Sequence, residues 1–233
     1  MKYQGSKARY AKLMLPLILK DRQAGQWYVE PFAGGFNMID KVTGPRIAND
    51  LNPYTTELFK ALQKGWIPPE NITELEYATI KAHPNQCPMH LVGFVAYGCS
   101  YSGKFWGGYA RGNTEKGISR NYCRESRDNV SRQSKGLEGV LISCGSYSDL
   151  DIPNNSIVYC DPPYEGTTGY KVKFDHPSFW QWVRDQHQKG HKVYVSEYNA
   201  PKDFKCIWQK DVKSSLVTYD TYKTNTEKLF TLL

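Results

Sequence analysis

"QWYVEPFAGGFNMIDKVTGPRIAND", residues 26–50, decides how the rest of the chain is read. Its first apolar run, QWYVE (26–30), reads as a strand. A glycine pair follows, Gly34 and Gly35, and GFNMIDKV reads as a helix beginning just after that turn. RIAND (46–50) is a second short strand. Strand, glycine turn, helix, strand is the opening of an α/β domain with a parallel sheet. Such a turn lets backbone approach a ligand closely and aims helix N–H groups at it. Many strand–helix turns carry two glycines for steric reasons alone, and this one is not G-x-G-x-x-G, so a dinucleotide fingerprint is absent.

Outward from this unit the pattern changes and then returns. Toward the N-terminus, Ser6 is placed to cap a helix running to about Asp21. Toward the C-terminus, Pro53 suits the first turn of a helix ending near Lys64, before Gly65. Residues 68–100 read as two helices, with Leu75, Ala78 and Ile80, then Leu91, Val92, Val95 and Ala96, as apolar positions. SYSGKFWGGYARGNTEKG (100–117) reads as a loop, and a polar helix spans Ser119 to Ser134. Strand-like runs resume at GVLISC (139–144) and SIVYC (156–160), followed by a helix from His176 and a strand HKVYVSEY (191–198). The tail is β-rich around 205–219 and 228–233. Residues 1–54 and 139–233 therefore form one α/β domain, and 55–138 are an insertion within it.

Composition bounds the class. Hydrophobic residues make up 40% of the 233 and charged residues 23%, which suits an ordinary globular domain. No apolar run approaches the roughly 20 residues of a membrane span. The opening MKYQGSKARYAKLMLPLIL is broken by Lys12, Pro16 and Lys20, so it reads as an amphipathic helix rather than a signal peptide. Six scattered cysteines without C-x-x-C, and histidines without ligand spacing, argue against a metal site and for a reducing compartment. The net charge of +7 suits a polyanionic partner. Between Gly103 and Lys135, eight Lys/Arg face three Asp/Glu, a net +5, so most of the excess charge sits in this one segment.

Two further pieces complete the set. ANDLNP (48–53) places Asp50 at a strand end, where an acid can accept hydrogen bonds from both hydroxyls of a ribose. The competing reading makes Asp50 or Asn52 a helix cap before Pro53, and for Asn52 the cap is preferred. VYCDPPYEG (158–166) ends a β-branched run with Asp161, Pro162, Pro163 and Tyr164. Two prolines cannot donate to a sheet ladder, so the strand stops there and an acid, a carbonyl and an aromatic plate leave it in fixed relation. Ligands of open α/β sheets gather at the C-terminal ends of strands, so all three pieces face one crevice. SEYNAP (196–201) ends another strand, with Glu197 and Asn199 as crevice candidates or as a plain turn.

Together these residues resemble the DNA adenine-N6 methyltransferases that use S-adenosylmethionine, in particular the Dam-like group. In that group the cofactor turn comes first, a long target-recognition insertion follows, and D-P-P-Y comes last. The resemblance implies a Rossmann-like methyltransferase fold, α/β with a mostly parallel central sheet and an inserted, mainly helical target-recognition region. It implies cofactor roles for Tyr3 and Lys7 in KYQGSK, and for Glu30, Pro31, Phe32, Ala33, Gly34 and Gly35 in VEPFAGG. Asp50 would hold the ribose, and Ser146 and Tyr147 in SCGSYSDL would lie beside the cofactor adenine. Asp161, Pro162, Pro163 and Tyr164 would be catalytic, with Asp161 also near the cofactor. One departure stands out: the family usually has a glycine where this chain has Phe36. A positive φ is costly for Phe, so Gly35 is expected to be the permissive position of the turn.

The implied reaction needs those residue types. An adenine N6 lone pair is delocalised into its ring, and acceptors at Asp161 and the Pro162 carbonyl would bias the amino group toward tetrahedral. Tyr164 would stack on a base flipped out of the duplex. Arg120, Arg124 and Arg127, at i, i+4 and i+7, would contact phosphate from one helical face, with Lys104 and Arg111 reaching from the preceding loop. The expected partner is double-stranded DNA, without membrane or metal, and the expected protein is a cytoplasmic monomer of a bacterium or a virus-infected cell. The rival readings are a methyltransferase of the same fold acting on RNA or a glutamine amide, and a DNA-binding module that has lost catalysis.

Overall fold

In a computed structural model, which describes residues 1–165, 174–213 and 224–232, one sheet runs through the molecule. Its strands are β1 (Tyr28–Glu30), β2 (Arg46–Asp50), β3 (Val140–Cys144), β4 (Ile157–Cys160), β5 (Lys192–Glu197), β6 (Phe204–Lys213) and β7 (Thr224–Leu232). They lie in the order β3-β2-β1-β4-β5-β7-β6. The first five are mutually parallel, and β7 runs antiparallel between β5 and β6. This is the α/β architecture with a mostly parallel central sheet that the family resemblance implies. Strands β1 and β4 are buried throughout, as parallel strands covered on both faces must be, which is why they read as unbroken apolar runs. The strand order reverses between β1 and β4, so the crevice of the sheet opens at the ends of those two strands.

The helices are α1 (Ala11–Ile18), α2 (Pro53–Gln63), α3 (Glu74–Ala82), α4 (Met89–Gly93), α5 (Tyr122–Ser134) and α6 (His176–Gln188). α4 continues into a wider π-type turn over Phe94–Gly98. Asn52 caps α2 by accepting the Tyr54 N–H at 3.0 Å, and Pro53 fills its first position. α2 packs on β2 and β3 and also against α4 and α5. One apolar core therefore joins the sheet residues Tyr28, Ala48 and Tyr159 to Phe59, Ile80, Val92, Phe94 and Val130 of the helical region.

Several expected elements are placed differently. α1 starts at Ala11, not after Ser6, because the Lys7 carbonyl accepts both the Tyr10 and Ala11 N–H groups and closes a separate turn first. It also ends at Ile18, short of Asp21. Thr73 and Glu76 form a reciprocal capping box that starts α3 at Glu74, leaving 68–73 outside it. The buried face of α3 is Tyr77 and Ile80, whereas Leu75 is 77% exposed. α5 starts at Tyr122 because the Asn121 side chain accepts the Arg124 N–H, so Arg120 precedes the helix. Residues 214–219, expected to be β-rich, fall outside the described residues.

The largest difference is at the glycine turn. No α-helix follows β1; residues 31–38 make consecutive turns and Ile39–Lys41 form one 3-10 turn. The physical reason is a competing donor. Gln133 of α5 donates from Nε2 to the carbonyls of Gly35 at 2.9 Å and Phe36 at 2.8 Å, which a helix would spend on its own next turn.

Candidate active site

The crevice is built from the ends of β1, β2 and β4. Glu30 closes β1 and is buried, with its Oε1 accepting the Tyr28 hydroxyl at 2.9 Å. Burial pushes the Glu30 carboxyl well above its usual range. Beyond it the chain passes Pro31 and Phe32 into the turn Ala33–Gly34–Gly35–Phe36. Gly34 and Phe36 have φ of +48° and +57°, and Gly35 does not have a positive φ. The expectation that Gly35 would be the permissive position is therefore corrected. Phe36 bears the left-handed conformation, and its ring is fully buried against Phe59 at a centroid distance of 4.4 Å. Burial of an aromatic ring, worth about 3–5 kcal/mol on truncation, exceeds the roughly 1–3 kcal/mol of such backbone strain.

Gly35 is needed for space instead. A Cβ there would stand 2.6 Å from Tyr3 Cβ, and one at Gly34 would stand 3.0 Å from the Tyr3 ring. Tyr3 thus lies directly over the turn.

Asp50, at the end of β2, ties the turn to the sheet. Its Oδ2 accepts the Gly34 N–H at 2.7 Å and its Oδ1 accepts the Asn52 N–H at 2.9 Å. Burial raises the carboxyl and these two bonds draw it back. Each oxygen keeps a second lone pair, so a pair of vicinal hydroxyls still finds acceptors here. Asn49, which has no evident role in the sequence, clamps three strand ends. Its Nδ2 donates to the Pro31 and Gly145 carbonyls, its Oδ1 accepts the Ser143 hydroxyl, and its carbonyl accepts the Ala33 N–H.

Beyond β3, Gly145 donates to the Asp50 carbonyl and brings Ser146 and Tyr147 beside β2. The Ser146 hydroxyl serves its own turn, bonding the Ser148 hydroxyl and N–H. The Tyr147 ring sits 5.0 Å from Phe32 and 5.1 Å from Trp182, an apolar wall with exposed Leu51 close by on the chain after Asp50. A polar acceptor at Asp50 beside an aromatic wall suits a nucleoside bearing a vicinal diol.

β4 delivers Asp161, buried Pro162, half-buried Pro163 and Tyr164. Lys7, 6% exposed, places Nζ 3.0 Å from Asp161 Oδ1 and 4.5 Å from the centre of the Tyr164 ring. Apart from that ion pair, the buried Asp161 Oδ1 has no hydrogen-bond partner among the described residues. Burial pushes the Asp161 carboxyl up, and Lys7 and the Tyr164 hydroxyl draw it back without restoring the usual value. For Lys7, burial opposes the charge, but Asp161 and Glu227 outweigh it and hold the ammonium above its ordinary value. Glu197, at the end of β5, is buried and accepts the N–H of Tyr198 at 2.7 Å and of Glu165 at 3.1 Å. It therefore pins the chain just past Tyr164, and burial raises its carboxyl to about 7. Asn199 is exposed and plays no part in this cluster.

Lys7 and Tyr3 thus meet the crevice, and so do Glu30, Gly34, Gly35, Asp50 and Asp161. The basic candidates lie elsewhere, on the helical region, and the arginines among them are already paired. Arg120 is bidentate to Glu125, at 2.8 and 2.6 Å, while Arg124 and Arg127 share Glu70 at 2.6 and 3.3 Å. Arg111 pairs with Glu74, and Lys104 is exposed. The expected single helical face of three arginines is therefore corrected: Arg120 lies before α5, and all three are balanced by acids. Two open clefts, of about 570 and 510 Å³, flank the 99–112 segment, and the second reaches Tyr3. Among the described residues no helix is long and apolar enough to cross a membrane, and no group of three His, Cys, Asp or Glu is placed to hold a metal ion.

Comparison with known proteins gives these features a context. Residues 3–88 match the family model of the D12 class N6 adenine-specific DNA methyltransferases. The chain is 24% identical over 219 residues to the type II methyltransferase M.FokI of Planomicrobium okeanokoites, a match covering 81% of this chain. It spans about a third of that relative's length (32%). Among solved structures it is similar to the Escherichia coli protein yhhF, assigned as a methyltransferase, with 10% identity and a TM-score of 0.41 over 96% of this chain and 85% of that one. It is also similar to SMU.472, likewise assigned as a methyltransferase and solved with SAH, with 9% identity and a TM-score of 0.38 over 99% of this chain and 54% of that one. Those two likenesses are too distant to bear on fold or function. The family match covers Tyr3, Lys7, the glycine turn and Asp50 and stops before Asp161, so what it shows is a likeness to the D12 class of N6 adenine-specific DNA methyltransferases over residues 3–88.

Proposed function

We propose that this chain transfers a methyl group from S-adenosylmethionine to N6 of an adenine flipped out of double-stranded DNA. The observation that carries the reading is Asp161 at the end of β4, whose buried Oδ1 lies 3.0 Å from Lys7 Nζ and has no other hydrogen-bond partner among the described residues. S-adenosylmethionine, when bound, supplies an electrophilic methyl on a sulfonium. Asp50 would hold its ribose, the Gly34–Gly35 turn and Tyr3 would line its path, and the Phe32–Tyr147 wall would take its adenine. Glu30, Pro31 and Ala33 shape the same turn. Asp161 and the Pro162 carbonyl would accept the two N6 hydrogens of the substrate and concentrate the nitrogen lone pair toward the methyl. Pro163 keeps the acceptors rigid, and Tyr164 offers an aromatic face to the base. Positioning and electrostatics supply the acceleration.

Residues 55–138 would read DNA. Their arginines are exposed, and surface ion pairs are worth only about 0–1 kcal/mol, so Glu70, Glu74 and Glu125 yield readily to phosphate. Mass spectrometry of DNA incubated with the protein and labelled S-adenosylmethionine tests the whole reading. N6-methyladenine is expected as the sole product; N4-methylcytosine, or label found only in RNA, would overturn it.

A further inference from the structure

Glu227 lies on β7, inside TNTEKLFTL, a stretch with no motif of its own. Its Oε2 accepts the Tyr164 hydroxyl at 2.8 Å and stands 3.7 Å from Lys7 Nζ. Lys7 in turn holds Asp161 at 3.0 Å, so one buried ammonium serves two carboxylates carried by different strands. The same ammonium rests on one face of the Tyr164 ring, whose hydroxyl is anchored by Glu227.

An ammonium that closed fully on Asp161 would occupy the lone pairs that an amino-group substrate requires. Glu227, 3.7 Å from the same ammonium, shares its charge with Asp161 and so moderates that grip. We propose that Glu227 is a positioning residue for methyl transfer, holding Lys7 and the Tyr164 hydroxyl so that Asp161 keeps its acceptor lone pairs directed at the substrate amino group. This role rests on the methyltransferase reading above. The groups around Asp161 are Lys7 from the N-terminal segment, Glu30 on β1, Tyr159 and Cys160 on β4, Tyr164 beyond it, Glu197 on β5 and Glu227 on β7. Glu227 adds negative charge that raises Asp161, so its removal lowers the Asp161 carboxyl.

Two variants and two readouts test the inference. Glu227→Gln removes the charge and keeps an acceptor for the tyrosine, and Tyr164→Phe removes the hydroxyl and keeps the ring. In the cofactor-free protein, the Asp161 carboxyl followed by carbon NMR titrates at lower pH in Glu227→Gln than in wild type. In turnover, Glu227→Gln loses roughly 10- to 100-fold in kcat, with the KM for S-adenosylmethionine changed by less than about threefold. The two substitutions together cost less than the product of their separate effects, because they break one network. An unmoved Asp161 titration, or wild-type kcat in Glu227→Gln, overturns the inference. So does a loss carried by KM for the cofactor, which would make Glu227 a binding residue. Wild-type protein that methylates no DNA sinks the methyltransferase reading instead, and the titration still decides whether Glu227 governs Asp161.

Discussion

At the scale of single residues, the proposed methyl transfer puts the heaviest load on Asp161. Asp161→Ala is expected to abolish methyl transfer by ~10² or more while the fold survives, since positioned groups of this kind contribute that much to rate. The survival follows from the network: Lys7 keeps Glu227 at 3.7 Å when Asp161 is gone, so no buried cation is stranded. A folded variant retaining more than about a tenth of wild-type turnover would contradict the role. Glu197 makes a different prediction, in stability. Its folded carboxyl is raised from 4.5 to about 7, so protonation favours the folded state. The contribution is fully present below pH 4.5 and is lost as pH rises through about 7. Denaturant melts of wild type should therefore weaken across that window by up to about 3 kcal/mol from this group. Glu197→Gln forfeits one backbone bond at every pH, so its curve is offset but flatter. An unchanged slope would show that Glu197 is not the titrating group.

At the scale of elements, the basic segment around α5 separates two kinds of work. Gln133, on the inner face of α5, holds the glycine turn in place, whereas Arg124 and Arg127 point outward to Glu70. Changing Arg120, Arg124 and Arg127 together to Gln is expected to weaken DNA binding and flatten the plot of log affinity against log salt. The slope should change by about 0.9 for each phosphate that is no longer neutralised. Glu70→Gln should act the other way, freeing two guanidiniums and tightening binding at low salt. If neither change moves the salt slope, the outer face of α5 is scaffold and the 101–116 loop, with Lys104 and Arg111, becomes the DNA-reading element. The Arg120 pair is informative in the same titration, because its bidentate grip on Glu125 must open before it meets phosphate.

For the whole molecule, the proposed cofactor site would link ligand binding to stability. A ligand that binds only the folded state at 100 times its Kd adds about 2.7 kcal/mol, which for a domain of this size raises Tm by roughly 5–10 °C. S-adenosylmethionine should produce such a shift in wild type. Asp50→Ala should lower the starting Tm, because Asp50 Oδ2 holds the Gly34 N–H, and should also shrink the cofactor-induced shift. Without the ribose bonds, binding would weaken by roughly 1.5–3 kcal/mol. A full ligand shift in Asp50→Ala would place the ribose partner elsewhere and leave Asp50 as a strut of the turn.

The sequence by itself determined the sheet and the identity of the acids at its ends. Short buried strands such as VYC and RIAND read as strands because parallel strands are apolar on both faces. D-P-P-Y and Asp50 were legible because prolines and a strand-end acid leave few other conformations. The tertiary structure alone decided the rest, and for one reason: the deciding partners are far away in sequence. A helix after the glycine turn is locally favourable, yet Gln133, nearly a hundred residues on, takes the carbonyls that helix needs. Phe36 holds a left-handed backbone because Phe59 buries its ring. Three arginines at helical spacing are divided by an asparagine cap and claimed by Glu70 and Glu125. Lys7 and Glu227, 220 positions apart, meet over Tyr164 only because β7 folds back beside β5. Local propensity sets which conformations are open to a segment, and long-range hydrogen bonds and burial choose among them.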